Sequence, residues 1–201
     1  HQHIPDAVHG YVSSHFLLSG SRHILTNAQA HQQQAFLLNL DIDQFFHTID
    51  SLRLLSILRQ WFPTMPQDTQ ELISQVCIYK NRLPMGAATS PVLSNMCLLN
   101  LDQQLSVFCE KQAVVYTRYV DDMSFSSVSD QLLSLEPELL SMIEQHGFMV
   151  NKDKRKFYRA EDIKQITGLL LHPDGHIGVE ADLLKNMKRC IKEFEKLQWL
   201  E

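Results

Sequence analysis

Ala113-Val114-Val115-Tyr116-Thr117-Arg118-Tyr119-Val120-Asp121-Asp122-Met123-Ser124-Phe125-Ser126 is the stretch whose reading decides the fold. The runs at 113–116 and 123–126 are β-prone, and between them sits a tight Val120-Asp121-Asp122. That pattern predicts a β-hairpin with two carboxylates at its tip. Adjacent carboxylates repel each other, so such a tip costs energy unless a cation or hydrogen-bond donors stand nearby.

Working outward, Phe36-Leu37-Leu38-Asn39-Leu40 is a short apolar run that reads as a buried strand ending on Asp41. If that strand neighbours the hairpin in one sheet, Asp41 joins Asp121 and Asp122. Three converging carboxylates offer oxygen ligands only, which suits Mg²⁺. The plainer alternative is that Asp41 caps a helix near Ile49 and that Asp121-Asp122 is a polar turn.

The remaining elements follow from periodicity and punctuation. Helices are expected at about 51–61 and 67–79, and another through Leu93, Cys97, Leu101, Leu105 and Phe108, which recur at helical spacing. A helix from Pro137 to His146 stopped by Gly147 is expected next, followed by a strand at Phe148-Met149-Val150. Gln165 to Leu171 then reads as one apolar stretch, with a turn at His172-Pro173-Asp174-Gly175 and a return strand at 177–179. A final helix begins near Ala181, with Leu184, Met187, Ile191 and Phe194 on one face. The order fits an α/β (α+β) fold, a split βαβ antiparallel sheet backed by helices.

At 201 residues and 44% hydrophobic, the chain suffices for one principal core. No apolar run approaches the roughly 20 residues of a membrane span, and His1-Gln2-His3-Ile4-Pro5 does not resemble a signal peptide, so a soluble protein with no membrane partner is expected. Cys77, Cys97, Cys109 and Cys190 form no CxxC pair and read as reduced core residues. The net charge of -5 is a poor footprint for nucleic-acid binding. Its distribution is uneven, however. Residues 1–150 hold 7 Lys and Arg against 14 Asp and Glu, whereas 151–201 hold 11 against 9. Lys152, Lys154, Arg155, Lys156 and Arg159 cluster in that second part, which alone reads as a solvated face.

Taken together and in order, the motifs resemble those of a bacterial retron-type reverse transcriptase. Asn39-Leu40-Asp41-Ile42-Asp43-Gln44-Phe45-Phe46 resembles the first catalytic motif of that family, and Leu83-Pro84-Met85-Gly86-Ala87-Ala88-Thr89-Ser90-Pro91 its template-and-nucleotide loop. Tyr119-Val120-Asp121-Asp122 matches the YxDD box, and Gly147 to Lys154 resembles the motif that follows it. Ile166-Thr167-Gly168 resembles the primer-grip segment and the retron VTG, while Asn27-Ala28-Gln29-Ala30-His31 matches the retron NAxxH signature.

The resemblance implies a polymerase palm at 36–171, partial fingers with the NAxxH region at 1–35, and the end of the primer grip with the start of a thumb at 172–201. It implies a piece of a larger polymerase. Asp41, Asp121 and Asp122 would be catalytic and, with Ile42, would form the shell of two Mg²⁺ ions. Phe46 falls where the family places an aromatic gate against a ribose 2′-hydroxyl, and Phe45 is expected in the core because neighbours on a strand face opposite ways. Met85, where the family usually has Gln, and Gly86 and Lys154 would face the incoming nucleotide. Asn27, His31, Thr167 and Gly168 would touch RNA or primer. The expected partners are an RNA template and RNA-DNA hybrid, deoxynucleoside triphosphates, a cognate structured non-coding RNA and an effector protein in bacterial cytoplasmic antiphage defence. Rival readings are another defence-associated or group II intron reverse transcriptase, an RNA-dependent RNA polymerase, and a non-catalytic RNA-binding scaffold on the palm fold.

Overall fold

The computed structural model describes residues 4–12 and 22–197. His1-Gln2-His3 and the end of the chain after 197 lie outside the described residues. A short helix α1 (Ile24–Gln29) precedes β1 (Phe36–Asp41), which ends on Asp41 as the apolar run predicts. Helices α2 (Ser51–Trp61), α3 (Gln67–Cys77) and α4 (Ser90–Lys111) follow. Asp50 caps α2 by accepting from the Arg53 amide at 2.8 Å, so the helix near Ile49 has its own cap and leaves Asp41 free for other work.

The hairpin comes next, as β2 (Val115–Tyr119) and β3 (Asp122–Ser127). With β4 (Lys156–Tyr158) they complete an antiparallel sheet in the order β2-β3-β1-β4. Register explains its two faces. Leu38 and Leu40 of β1, Met123 and Phe125 of β3 and Tyr116 of β2 enter one apolar core with Leu98, Leu101 and Leu105 of α4. Alternation sends the opposite set to the other face: Asp41 pairs with Asp122, Asn39 with Ser124 and Leu37 with Ser126. The sheet therefore carries a polar row that begins at the acidic pair.

Helix α5 (Leu132–Gln145) packs on the apolar side and starts five residues before Pro137, where sequence alone puts the start. Leu132 and Leu139, two turns apart, are both buried with Met142 and Ile143, and this burial outweighs the one backbone bond that an interior proline forfeits. Phe148 to Val150 forms no strand beyond a single bridge between Val150 and Ile42. The fourth strand is instead β4, inside the stretch that reads as a basic cluster.

The run from Gln165 to Leu171 is likewise not one strand. It folds into a hairpin, β5 (Lys164–Ile166) and β6 (Leu169–Leu171), and β7 (Ile177–Val179) adds to it as a second antiparallel sheet. That sheet straddles the division expected at 171/172. Ala28, Leu37, Ile166 and Leu171 form a small second core tying α1, β1 and this sheet together. Helix α6 (Ala181–Leu197) starts as predicted. Its Leu184, Met187, Ile191 and Phe194 face is exposed, as is Cys190, the one cysteine that departs from the buried expectation. Among the described residues, no helix is long and apolar enough to cross a membrane.

Candidate metal centre and nucleotide groove

Asp41 ends β1 and Asp122 opens β3, directly opposite each other. Asp121 stands beside them in the two-residue turn Val120-Asp121 that joins Tyr119 to its partner Asp122. One carboxylate oxygen from each of the three lies within 4.8 Å of the others. The Ile42 amide donates to the Asp121 carbonyl at 3.1 Å and the Asn151 amide to the Asp41 carbonyl at 2.8 Å, which fixes the strand ends around the acids. The turn itself is strained, because Val120 has φ +63. A β-branched residue there costs on the order of 1–3 kcal/mol and persists only where surrounding structure enforces it.

The electrostatics show what the cluster lacks. Burial pushes the Asp122 carboxyl up to about 6, with the charges of Asp121 and Asp41 adding to the effect and Lys154 opposing it. Asp121 is also raised, chiefly by burial, with a backbone hydrogen bond working against it and Asp41 for it. The Lys154 ammonium donates to both Asp41 oxygens at 2.9 and 3.1 Å, and this bond raises its own pKa. Lys154 thus supplies one positive charge to three acids. An oxygen-only donor set that remains under mutual repulsion fits a divalent cation. Ile42 fits that shell only through its backbone, since its side chain is buried in the core.

Two grooves meet at the acids. In one, of about 370 Å³, Asp41, Asp122 and Lys154 are joined by Asn39, Ser124, Gln165, Thr167 and Gly168. Thr167 (φ +47) and Gly168 (φ +82) are the two turn residues of the β5–β6 hairpin, which fits a type I′ turn and brings this tip to the groove that Asp41 and Asp122 line. The polar floor is bonded together: Ser124 donates to Asn39 Oδ1 at 3.1 Å, and Asn39 to the Gln165 carbonyl at 2.7 Å. In the second groove, Phe46 and Met85 line the space with Asp41, Asp121 and Lys154. Phe45 is in the core as expected, but for a different reason. Residues 45–48 form a 3-10 turn after Gln44 at φ +46 rather than a strand, and Phe46 leans on Phe45 edge-on, with ring centroids 5.3 Å apart. Met85 is 72% exposed, and Gly86, at φ +86, has no atom within 4 Å of where a Cβ would stand.

The NAxxH residues go elsewhere. His31 is wholly buried on the polar face of the sheet, with Nδ1 bonded to Ser126 Oγ at 2.5 Å and Nε2 to Thr117 Oγ1 at 2.8 Å. Burial holds its pKa down at about 3, so the ring is neutral and ties β2 to β3. With no exposed surface, it offers no direct contact to RNA, which corrects that expectation. Asn27 is buried as well and donates to Thr167 Oγ1 at 3.4 Å, touching the groove through the hairpin tip rather than facing it. Sequence reasoning missed Asn39, Ser124, Gln165 and, behind the turn, Arg118 and Asp102. Neither of the last two carried a local signal, because each has other polar residues beside it in its own element.

A four-stranded antiparallel sheet backed by helices, gathering three acids at one end of its central strands, is a polymerase palm. The family profile described as "Reverse transcriptase (RNA-dependent DNA polymerase)" matches residues 1–176, and the chain belongs to that family. Among curated relatives, it is 27% identical over 184 residues to the Retron Ec86 reverse transcriptase of Escherichia coli, covering 89% of this chain and 56% of that protein. It is 26% identical to the Retron Ec83 reverse transcriptase of Escherichia coli (98% and 64%) and 28% identical to the Retron Mx162 reverse transcriptase of Myxococcus xanthus (94% and 44%). The chain thus spans about half the length of these relatives, and the resemblance read from its motifs stands. In fold it also matches a telomerase from Candida albicans solved with a TWJ fragment of telomeric RNA, at a TM-score of 0.66 and 13% identity over 90% of this chain and 36% of that one.

Proposed function

We propose that this chain is the palm of a retron-type reverse transcriptase that builds DNA on an RNA template. The observation carrying this reading is the convergence of Asp41, Asp121 and Asp122 at one end of the central strands of a reverse-transcriptase-family sheet. Two Mg²⁺ ions bound there would lower the pKa of a primer hydroxyl and neutralise charge on the triphosphate. The chain's own residues then do the positioning. The three carboxylates supply the oxygen ligands, and Thr167 and Gly168 at the β5–β6 tip abut the primer strand across the polar floor. Lys154, which lines both grooves and contacts Asp41, exchanges that contact for the pyrophosphate as negative charge develops on it. Bond formation joins the primer oxygen to the α-phosphorus, and the bond to pyrophosphate breaks.

Phe46 lines the groove on the nucleotide side, where its ring would collide with a 2′-hydroxyl, so deoxynucleotides are selected. Met85 and Gly86 present a flexible side chain and an unobstructed backbone to the templating pair. The similarity to named retron enzymes supports the retron reading. Under that reading the template would be a cognate structured non-coding RNA, the product a hybrid RNA-DNA, and the setting bacterial cytoplasmic defence with an effector protein. Recognition of that RNA would rest on shape and unpaired bases.

The test is primer extension on an RNA template by the full-length protein containing this chain, supplied with Mg²⁺ and either deoxy- or ribonucleotides. Wild type is expected to use deoxynucleotides, and Phe46→Ala to admit ribonucleotides. Unchanged sugar selection in that variant removes the gate from Phe46, and ribonucleotide use by wild type overturns the DNA-synthesis reading.

A further inference from the structure

Arg118 stands on β2 two residues before Val120, and no part of it is exposed. It points away from the acids, into the helix-backed side of the sheet. There its Nε and Nη2 donate to the two oxygens of Asp102 on α4, at 2.7 and 2.6 Å, in a bidentate pair. The remaining nitrogen, Nη1, donates to Asn95 Oδ1 at 3.1 Å and to the Val120 carbonyl at 2.7 Å. Tyr116 donates its hydroxyl to Asp102 Oδ1 at 2.8 Å, which fixes the carboxylate that fixes the guanidinium.

The other side of the turn is held as well. The Arg118 amide donates to the Ala7 carbonyl and the His9 amide to the Arg118 carbonyl, both at 2.8 Å, so the segment around residue 8 runs beside β2. Asn95 donates to the Gly10 carbonyl at 2.9 Å. A Cβ added to Gly10 would lie 2.5 Å from the Val120 amide nitrogen. Val120, in its left-handed conformation, is therefore held at its carbonyl by Arg118, and Gly10 lies close against its amide.

Stability does not by itself call for this arrangement. A buried ion pair is commonly replaced by apolar residues of similar volume with no loss of stability, because burying the charges costs as much as their attraction returns. What an apolar pair cannot supply is a rigid donor to the Val120 carbonyl. That carbonyl belongs to the peptide bond leading into Asp121, so its orientation sets where the Asp121 and Asp122 carboxylates stand relative to Asp41.

We propose that Arg118, oriented by Asp102 and Tyr116, is a positioning residue. It locks the Val120–Asp121 peptide so that the three carboxylates stay at cation-binding separation. This rests on the metal-centre reading above, and it predicts that cation affinity and fold stability separate.

The experiment uses the full-length protein and Mn²⁺ as the probe, free Mn²⁺ being counted by electron paramagnetic resonance without nucleotide or nucleic acid. Asp121→Asn defines binding at the acids. The double variant Asp102→Leu/Arg118→Met leaves no buried charge but leaves the neutral Tyr116, Asn95 and Val120 partners unpaired. It is expected to remain folded and to unfold closer to the wild-type temperature than Arg118→Ala does, while its Asp121-dependent Mn²⁺ affinity falls about 10–100-fold, the range for partners that orient metal ligands. Arg118→Lys, which keeps the charge but not the fork, is expected to fall between wild type and the double variant in that affinity. A folded double variant that binds Mn²⁺ like wild type overturns the proposal. If the double variant does not fold, Gly10→Ala decides it, since the added methyl displaces the Val120 amide without touching the ion pair. The same loss supports the device, and wild-type affinity overturns it. Asp121-dependent Mn²⁺ binding by a wild type that makes no DNA would sink the polymerase reading and leave this one intact.

Discussion

The molecule turns two tight corners toward the same groove, and it builds them in opposite ways. At the β5–β6 tip, Thr167 and Gly168 take the positive φ angles of a type I′ turn; Gly168 does so freely with open space around it, while Thr167, β-branched like Val120, accepts a 3.4 Å bond from Asn27. At the β2–β3 tip, a valine at φ +63 is held by a buried arginine that an aspartate orients, with Gly10 close against it. The first corner draws on a glycine and one contact from α1; the second depends on α4 and on the segment around residue 8. A corner that places carboxylates for a cation must hold them against mutual repulsion, and local propensity does not do that.

The largest expected effect comes from breaking the second corner's support. Arg118→Ala leaves Asp102 buried with no cationic partner and is expected to cost about 3–5 kcal/mol in denaturant unfolding. Next is His31, which braces the same hairpin from the polar face. His31→Ala strands the hydroxyls of Ser126 and Thr117 and is expected to cost about 2–4 kcal/mol by the same measurement. The first corner is less demanding: Gly168→Ala meets no neighbouring atom and carries only the left-handed backbone penalty, about 1 kcal/mol. If Gly168→Ala proves as damaging as Arg118→Ala, the contrast between the corners fails.

A further effect is electrostatic and depends on pH. Asp122 titrates near 6 in the fold against 3.8 when unperturbed. A raised carboxylate favours the folded state at low pH, and that advantage is lost as pH rises through 6. The metal-free protein should therefore lose stability relative to Asp122→Asn between about pH 4 and 6. Thermal melts across that range check it, and added divalent cation should remove the difference.

Why the sequence was legible at some points and opaque at others follows from the same contrast. β1 and Asp41, the hairpin and its acids, and α2 were readable because each rests on a local pattern: an apolar run, a pair of β-prone segments, or a capped helical period. β4 was hidden because Lys156 and its charged neighbours look solvated, although Lys156 and Tyr158 pair with Asn39 and Leu37 of a buried strand. The Thr167-Gly168 turn was hidden inside an apolar run that reads as continuous. Arg118 and Asp102 lie 16 residues apart and look like ordinary surface charges until the fold buries both. His31 carried a family signature, but its partners Thr117 and Ser126 lie 86 and 95 residues away, so its bracing role appeared only once the sheet was assembled.

The central claim is that Asp41, Asp121 and Asp122 form one cation centre that drives DNA synthesis on RNA. Single-turnover addition of one deoxynucleotide to a primer on an RNA template, in Mg²⁺ and with the full-length protein, tests it most directly. Wild type should add the nucleotide and release pyrophosphate, and Asp41→Asn and Asp121→Asn should each lower the rate by at least roughly 10²–10³-fold while remaining folded. Addition at an undiminished rate by either variant would contradict the account.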